Sequence, residues 1–587
     1  MALGEPYTTA ALSQTKGAME AFLRDPARLA EAEEWLAKGE GTAEQRKCLQ
    51  IFVRTFKCYQ MSDAEAVALR DQCTAVEDAL SAARNHMRLG YEAPGGGGFV
   101  ERSSVQLRTA MRTNDDEAVR KAAWEGLRSI GPFVLDNGLC EMVRLRNEMA
   151  RRLGYEDFYD YKVQQAEGFS KVKLFSILDT LLEGTDALLA SARERLAAEK
   201  GMAALEPWNT GYMMAGDIEK QLDPYFPFET ALATWGECFA KLGISYRGAT
   251  MTLDLLDRKG KYSNGFCHWP QPAWVKPDGT WQPSTTNFTS LADPAAVGSG
   301  RTALVTLMHE AGHAAHFANI VQPSPLFSQE RAPTSVAYAE TQSMFLDSLC
   351  KDAAWRGRYA RSRDGAVLPW ELHAADITAT HPYEVFQLRA MLCVPYFEKA
   401  LYELPAAELT PDRIQALADS VERQVQGGAS GRPLLSIPHI ISDEASCYYH
   451  GYVLAEMAVY QTRAHFLRQG PIVDNPEVGR RLREAYWDAG NSAMYLDLVE
   501  GLTGAPLTGA AWIAHLNADL EGLLKDERQD YDAAVAARAE PTAADVDLDM
   551  RVIVADGNER IADSKAMGGF LPACEAFKTY VRGRFFA

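Results

Sequence analysis

The chain has 587 residues and a formal net charge of −19, a balance that argues against nucleic acid, where a basic footprint is expected. Hydrophobic residues make up 47% of it, which suits a globular protein with large cores, and no run of about 18 apolar residues offers a membrane span. Ten cysteines without a Cys-x-x-Cys pair point to reduced thiols in a cytoplasmic or organellar-matrix setting, since a chain this long folds without disulfide staples.

The opening Met-Ala-Leu-Gly-Glu-Pro carries no basic segment and no apolar run, so no secretory signal is expected. Thr8 to Leu89 shows helical patterns with few prolines. Ala93-Pro94-Gly95-Gly96-Gly97-Gly98 breaks them. It reads as a flexible turn rather than a phosphate loop, because no strand and no Lys-Ser/Thr follow it in register. Helical patterns resume from Ser103 to Lys200. A mixed stretch from Gly201 to Phe228 has Pro207, Pro224 and Pro227 marking loops. From about Ala249 to Ser290 the turn pairs Asn264-Gly265 and Asp278-Gly279 separate short segments with aromatic residues, which predicts a small β-sheet. An exposed edge of that sheet could hold an extended peptide by backbone hydrogen bonds. His268 and Trp269 fall there, as subsite residues or as surface turn residues.

His309-Glu310-Ala311-Gly312-His313 follows. Two histidines four apart lie on one helix face, one turn from each other. Their imidazoles can converge on one Zn²⁺, at about 2.0–2.1 Å per Zn–N bond. Glu310, roughly 100° further round the helix, can stand beside the metal and take a proton from water. This is the zinc-protease signature. Arg301 to Asn319 contains no proline, and Leu304, Leu307, Met308, Ala311, Ala315 and Ala318 form a buried stripe, so a helix is predicted. Ser299 sits where an N-cap belongs. Gly312 costs such a helix about 1 kcal/mol against alanine.

A catalytic zinc site needs a third protein ligand. Glu340 is the candidate, on a second predicted helix with Val336, Ala339, Phe345 and Leu349 as partial packing positions. Asp347 lies two turns on along nearly the same face, so one carboxylate can bind metal while the other orients a histidine. A solvated acidic face is the competing reading. Helical patterns, interrupted at Pro405 and Pro433, continue to about Arg528. Within them, the segment from Ile437-Pro438-His439 to Cys447-Tyr448-Tyr449-His450-Gly451-Tyr452 is rich in hydrogen-bond donors suited to a developing oxyanion. Clustered tyrosines also suit a core. Met550 to Ile561 reads as a hairpin with Asp556-Gly557 at its turn.

These motifs resemble the thimet oligopeptidase and oligoendopeptidase F family of zinc metallopeptidases. That family carries His-Glu-x-Gly-His with another His or Ser shortly after, matched here through His316. Its third ligand is a Glu on the next long helix with an acidic residue seven further on, which Glu340 and Asp347 match. Asp257-Arg258-Lys259-Gly260-Lys261-Tyr262, Thr285 to Thr289, Arg146 to Tyr155 and Leu502-Thr503-Gly504 also resemble family segments, so the likeness spans about 100 to 525. It implies one Zn²⁺ per chain held by His309, His313 and Glu340, with Glu310 as general base. It further implies that His439, Tyr449 and Tyr452 serve the oxyanion, provided the loop has one extra residue; Tyr448 replaces Tyr449 under an ungapped alignment. The family's glycine-rich loop is here Ser442-Asp443-Glu444-Ala445-Ser446.

The fold the resemblance implies is mainly α: a two-lobed, zincin-like helical bowl with a deep channel and a small sheet before the motif helix. It divides into an N-terminal helical region (1–248), a catalytic region (249–528) and a C-terminal extension (529–587) with the hairpin. Its implied activity is that of an endopeptidase for short unstructured peptides, with no nucleic-acid or membrane partner. A related zinc carboxypeptidase or dipeptidase, or a noncatalytic peptide-binding scaffold, are the rival readings. The extension is extra by comparison with the family. It could pad the enzyme, mediate oligomerisation or bind a partner.

Overall fold

The computed structural model of the protein describes residues 9–61, 63–258, 261, 265–327, 335–442, 445–537 and 546–586. Lys259, Gly260, Tyr262, Asn264, Asp443 and Glu444, which figured in the expected segments, lie outside the described residues.

Helices dominate, as the long proline-poor stretches predict. Four of them, Thr9–Arg24, Pro26–Lys38, Ala43–Tyr59 and Ala64–His86, open the chain. Asp25, Thr42 and Asp63 cap the last three by accepting from backbone N–H groups of the first turn, which satisfies donors that a helix start leaves unpaired. The glycine-rich break is a hairpin turn. It joins the antiparallel strands Gly90–Glu92 and Phe99–Glu101, and Gly95, Gly96 and Gly98 take positive φ there. The short flanking strands were not expected. The rest of the N-terminal half is helical to Lys241.

One five-stranded sheet follows, in the order Phe266–Gln271, Thr285–Ala292, Ala249–Leu256, Met550–Asp556, Glu559–Asp563. The central strand Ala249–Leu256 is parallel to both neighbours, Thr285–Ala292 and Met550–Asp556. Leu253, Phe288 and Val554 are buried on it. The hairpin expected near the C-terminus is present, and Gly557 (φ 62°) supplies the left-handed backbone of its turn. It is built into this sheet: Ala249 stands opposite Met550 and Asp254 opposite Ala555. A terminal helix that the sequence reading did not predict, Phe570–Phe585, then packs back on the body. The Phe577 ring meets Phe228 at 5.9 Å and Phe570 meets Trp235 at 5.5 Å. Gly236 makes room, since a Cβ there would lie 2.2 Å from the Phe570 ring.

From the sheet the chain enters the motif helix, Ser299–Asn319. Its cap corrects the expectation. Gly298 (φ 77°) occupies the cap position, and the Ser299 hydroxyl accepts the Asp293 N–H at 3.0 Å instead. The second predicted helix spans Val336–Ser348, and a third, His450–Leu467, begins just after the tyrosine pair. Among the described residues, no helix is long and apolar enough to cross a membrane.

Because Phe577 is fully buried, Phe577→Ala is expected to cost about 3–5 kcal/mol and to lower the melting temperature by several degrees. An unchanged melting curve would mean that the terminal helix merely rests on the surface.

Candidate active site

Three helices meet where the predicted site residues lie, and two glycines set their spacing. A Cβ on Gly312 would stand 2.8 Å from Ser343 Cα and 3.1 Å from the Gln342 carbonyl. Only glycine lets the motif helix approach Val336–Ser348 this closely. A Cβ on Gly451 would stand 2.3 Å from Val336 Cγ2, so His450–Leu467 presses on the same helix in the same way. The mid-helix Ala311 carbonyl accepts the Tyr246 hydroxyl at 2.9 Å. His316, fully buried, meets the Tyr338 hydroxyl at 3.0 Å through Nε2 and ties the first two helices together.

This packing brings His309, His313 and Glu340 together. Glu340 Oε2 lies 3.4 Å from His309 Nε2 and 3.7 Å from His313 Nε2. The three ligand atoms all lie within 4.8 Å of one another. His309 Nδ1 is 2.8 Å from Asp347 Oδ2, which fixes the ring and turns Nε2 inward. Asp347 thus takes the orienting role and Glu340 the inward one. On the far side of the carboxylate, the Tyr448 hydroxyl donates to Glu340 Oε1 at 2.8 Å.

The electrostatics show why a positive charge belongs at the centre. Burial opposes ionisation of Glu340, yet hydrogen bonds from His309 and Tyr448 and the neighbouring imidazoles hold it down to about 2. Burial also works against a charged His309, but Asp347 and Glu340 override it and raise its pKa well above the usual value. Burial pushes His313 down to about 4, so it is neutral. Its Nδ1 is buried without a hydrogen-bond partner. With no cation bound, the His309 imidazolium donates from Nδ1 to Asp347 and from Nε2 toward Glu340. Two imidazole nitrogens and one carboxylate oxygen converging on one point form the donor set of a divalent cation site, and the residues present fit such an ion.

Glu310, buried on the motif helix, is raised to about 7 by burial, with the His309 charge and then the Cys267 backbone N–H partly offsetting that. Cys267 belongs to the edge strand Phe266–Gln271, so the carboxyl lies between that strand and the donor set. His439 and the tyrosines complete the cluster. The Tyr452 hydroxyl lies 3.4 Å from His439 Nε2, and His439 stacks edge-on with Tyr449 at 5.0 Å. Burial, then the Arg432 charge, hold His439 down to about 4. Tyr449 itself is turned to Arg432, whose Nη1 donates to its hydroxyl at 2.7 Å. Tyr448, the ungapped alternative, is the tyrosine that touches Glu340. The His268 ring lies tilted beside Trp269 on the edge strand at 5.7 Å, and Trp269 lies flat on Phe317 of the motif helix at 4.6 Å. A second group, His381, Glu384 and His515, also has ligand-type atoms close together, but both imidazoles already meet Glu384 Oε2, at 3.3 and 2.8 Å.

A helix-borne His-Glu-x-x-His pair completed by a glutamate from the adjacent helix defines a metallopeptidase site. The model of peptidase family M3 matches residues 110–518, and the chain belongs to that family of metallopeptidases. Its fold recurs in solved structures. The M32 carboxypeptidase of Deinococcus radiodurans R1 is similar at TM-score 0.55 and 15% identity, over 90% of this chain and 94% of that one. PZ peptidase A, solved with an inhibitor, is similar at 0.56 and 15%, over 87% and 84%. A protein assigned as an oligoendopeptidase F is similar at 0.56 and 17%, over 88% and 85%. At such identities the likeness is one of fold.

Since His309 carries a proton near neutral pH in the metal-free protein and must lose it to bind a cation, loading with Zn²⁺ at pH 7 should release at least one proton per chain. Calorimetry in buffers of different ionisation enthalpy reads this number. The same release and the same affinity in His309→Ala would show that His309 is not a ligand.

Proposed function

We propose that this family M3 metallopeptidase is a zinc-dependent endopeptidase for short unstructured peptides, with Glu310 as its general base. The observation that carries the reading is the convergence of His309, His313 and Glu340, with the Glu310 carboxyl buried beside them. A set of two imidazoles and one carboxylate suits zinc. When bound there, the ion supplies Lewis acidity toward the scissile carbonyl and an acidified water.

The chain's own groups do the rest. The Glu310 carboxylate accepts the proton of the attacking water and passes it to the leaving amine nitrogen. Asp347 keeps His309 in the tautomer that presents Nε2. Tyr448 holds the outer oxygen of Glu340 with its hydroxyl proton. His439 and Tyr452 can donate to the oxygen of the carbonyl under attack, where a single such donor is worth about 3 kcal/mol, and Tyr448 joins them when its hydroxyl swings from Glu340 to that oxygen. Tyr449 then acts through Arg432 and His439 rather than at the carbonyl.

The edge strand supports cleavage within a chain. An extended peptide paired along Phe266–Gln271 is held through its backbone beside Glu310, and such pairing needs no free end. A carboxypeptidase would require one, and a scaffold would bind without cleaving.

Glu310→Gln is expected to retain metal stoichiometrically while kcat/KM falls about 10²- to 10⁴-fold. Parent-like hydrolysis by that variant would remove Glu310 from the base role. A peptide acetylated and amidated at its ends should be cut internally by the zinc-loaded protein; cleavage restricted to peptides with a free carboxyl terminus would establish the carboxypeptidase reading. The base form is the carboxylate, so activity is lost on the acid side. Burial places that limb near pH 7 and a bound cation shifts it lower, so an acid limb above pH 7 in kcat/KM would contradict the assignment.

A further inference from the structure

Many arginines of the chain are neutralised by carboxylates; Arg112 and Arg301, for instance, share Glu219. Among the described residues Arg432 donates to the Tyr449 hydroxyl at 2.7 Å, and neither it nor Arg108 pairs with a carboxylate. Their backbones are brought together by close packing. Arg108 lies on the helix Ser104–Thr113, three residues before Met111 and therefore on the same face. Met111 Cε lies 3.7 Å from where a Cβ on Gly431 would be, and Arg432 is the next residue. Both side chains are half-buried. Burial, and then the like charge of Arg432, hold Arg108 down to about 10. Arg432 holds Tyr449, whose ring meets His439 at 5.0 Å, and its charge is felt by His439 and Tyr452, so its guanidinium stands beside the oxyanion-side residues.

Two like charges partly withdrawn from water repel each other and hold unused hydrogen-bond donors. An incoming carboxylate relieves both conditions, and guanidiniums match its geometry in bidentate fashion. We propose that Arg108 and Arg432 form an anion subsite beside His439 that takes a carboxylate of the peptide substrate. The proposal rests on the metallopeptidase reading of the same cleft. It runs against what the net charge of −19 suggests, namely a bias toward basic peptides. A carboxylate of this kind comes from the substrate's own C-terminus or from an Asp or Glu side chain near the scissile bond.

The test uses one short quenched peptide in four forms: C-terminal acid or amide, each with Glu or Gln at the two positions after the cleavage point. With the zinc-loaded protein at low salt, at least one carboxylate form should show a KM about tenfold below its neutral counterpart, as expected for a charge-assisted hydrogen bond. Acid against amide identifies the terminus as the source; Glu against Gln identifies the side chain. In Arg108→Gln the gap should close while kcat and KM for the neutral peptide stay within about twofold of the parent, and Arg108→Lys should keep part of the gap. Calorimetric binding of the same four peptides to Glu310→Gln reads the gap without turnover. No cleavage together with a binding gap would overturn the peptidase reading and leave the subsite standing. Equal KM and equal affinity for all four forms, or a gap that survives in both Arg108→Gln and Arg432→Gln, would overturn the subsite.

Discussion

At Gly312 and Ser343 two helices approach so closely that no β-carbon fits between them. The position of each metal-facing group follows from that approach. His309 and His313 share one face of the first helix, and Glu340 lies within a turn of Ser343 on the second. A wider crossing would move the carboxylate away from the imidazoles and leave three buried polar groups without a common partner, a costly arrangement. A helix interior normally disfavours glycine by about 1 kcal/mol; here that cost is offset by the packing it permits.

The surrounding structure keeps the convergence rigid. Asp347 fixes His309, Tyr448 fixes Glu340, and Gly451 seats the third helix on the second. The sheet brings its edge strand alongside Glu310 through Cys267, so the proposed peptide-binding edge and the proposed base belong to one packed unit. The C-terminal hairpin contributes to this from a distance. By pairing with Ala249–Leu256 it covers the side of that strand opposite Thr285–Ala292, leaving no open edge on the central strand, where unpaired backbone groups invite association with other chains.

Much of this was legible in the residues. The spacing of His309 and His313 is local, and a local pattern survives into structure because both ends ride one helix. Glu340 and Asp347 share a helix too, but spacing alone did not say which turns inward; the resemblance chose Glu340, and the crossing at Gly312 gives the physical reason. The hairpin at Asp556-Gly557 was visible for the same local reason, whereas its parallel partner Ala249–Leu256 lies far away in sequence and leaves no periodic trace. The choice between Tyr448 and Tyr449 depended on one residue of loop length, and the left-handed turn at Cys447 (φ 54°) just before them has no glycine to signal it. Arg108 and Arg432 were not legible at all. They gain meaning only because Gly431 meets Met111, a contact between distant segments.

The most direct test of the central claim is zinc-edge X-ray absorption on the loaded protein and on Glu340→Gln. The account predicts two imidazole nitrogens and a carboxylate oxygen at about 2.0–2.2 Å, with the carboxylate contribution lost in the variant. A site with fewer than two imidazoles, or a spectrum that Glu340→Gln leaves unchanged, would contradict it.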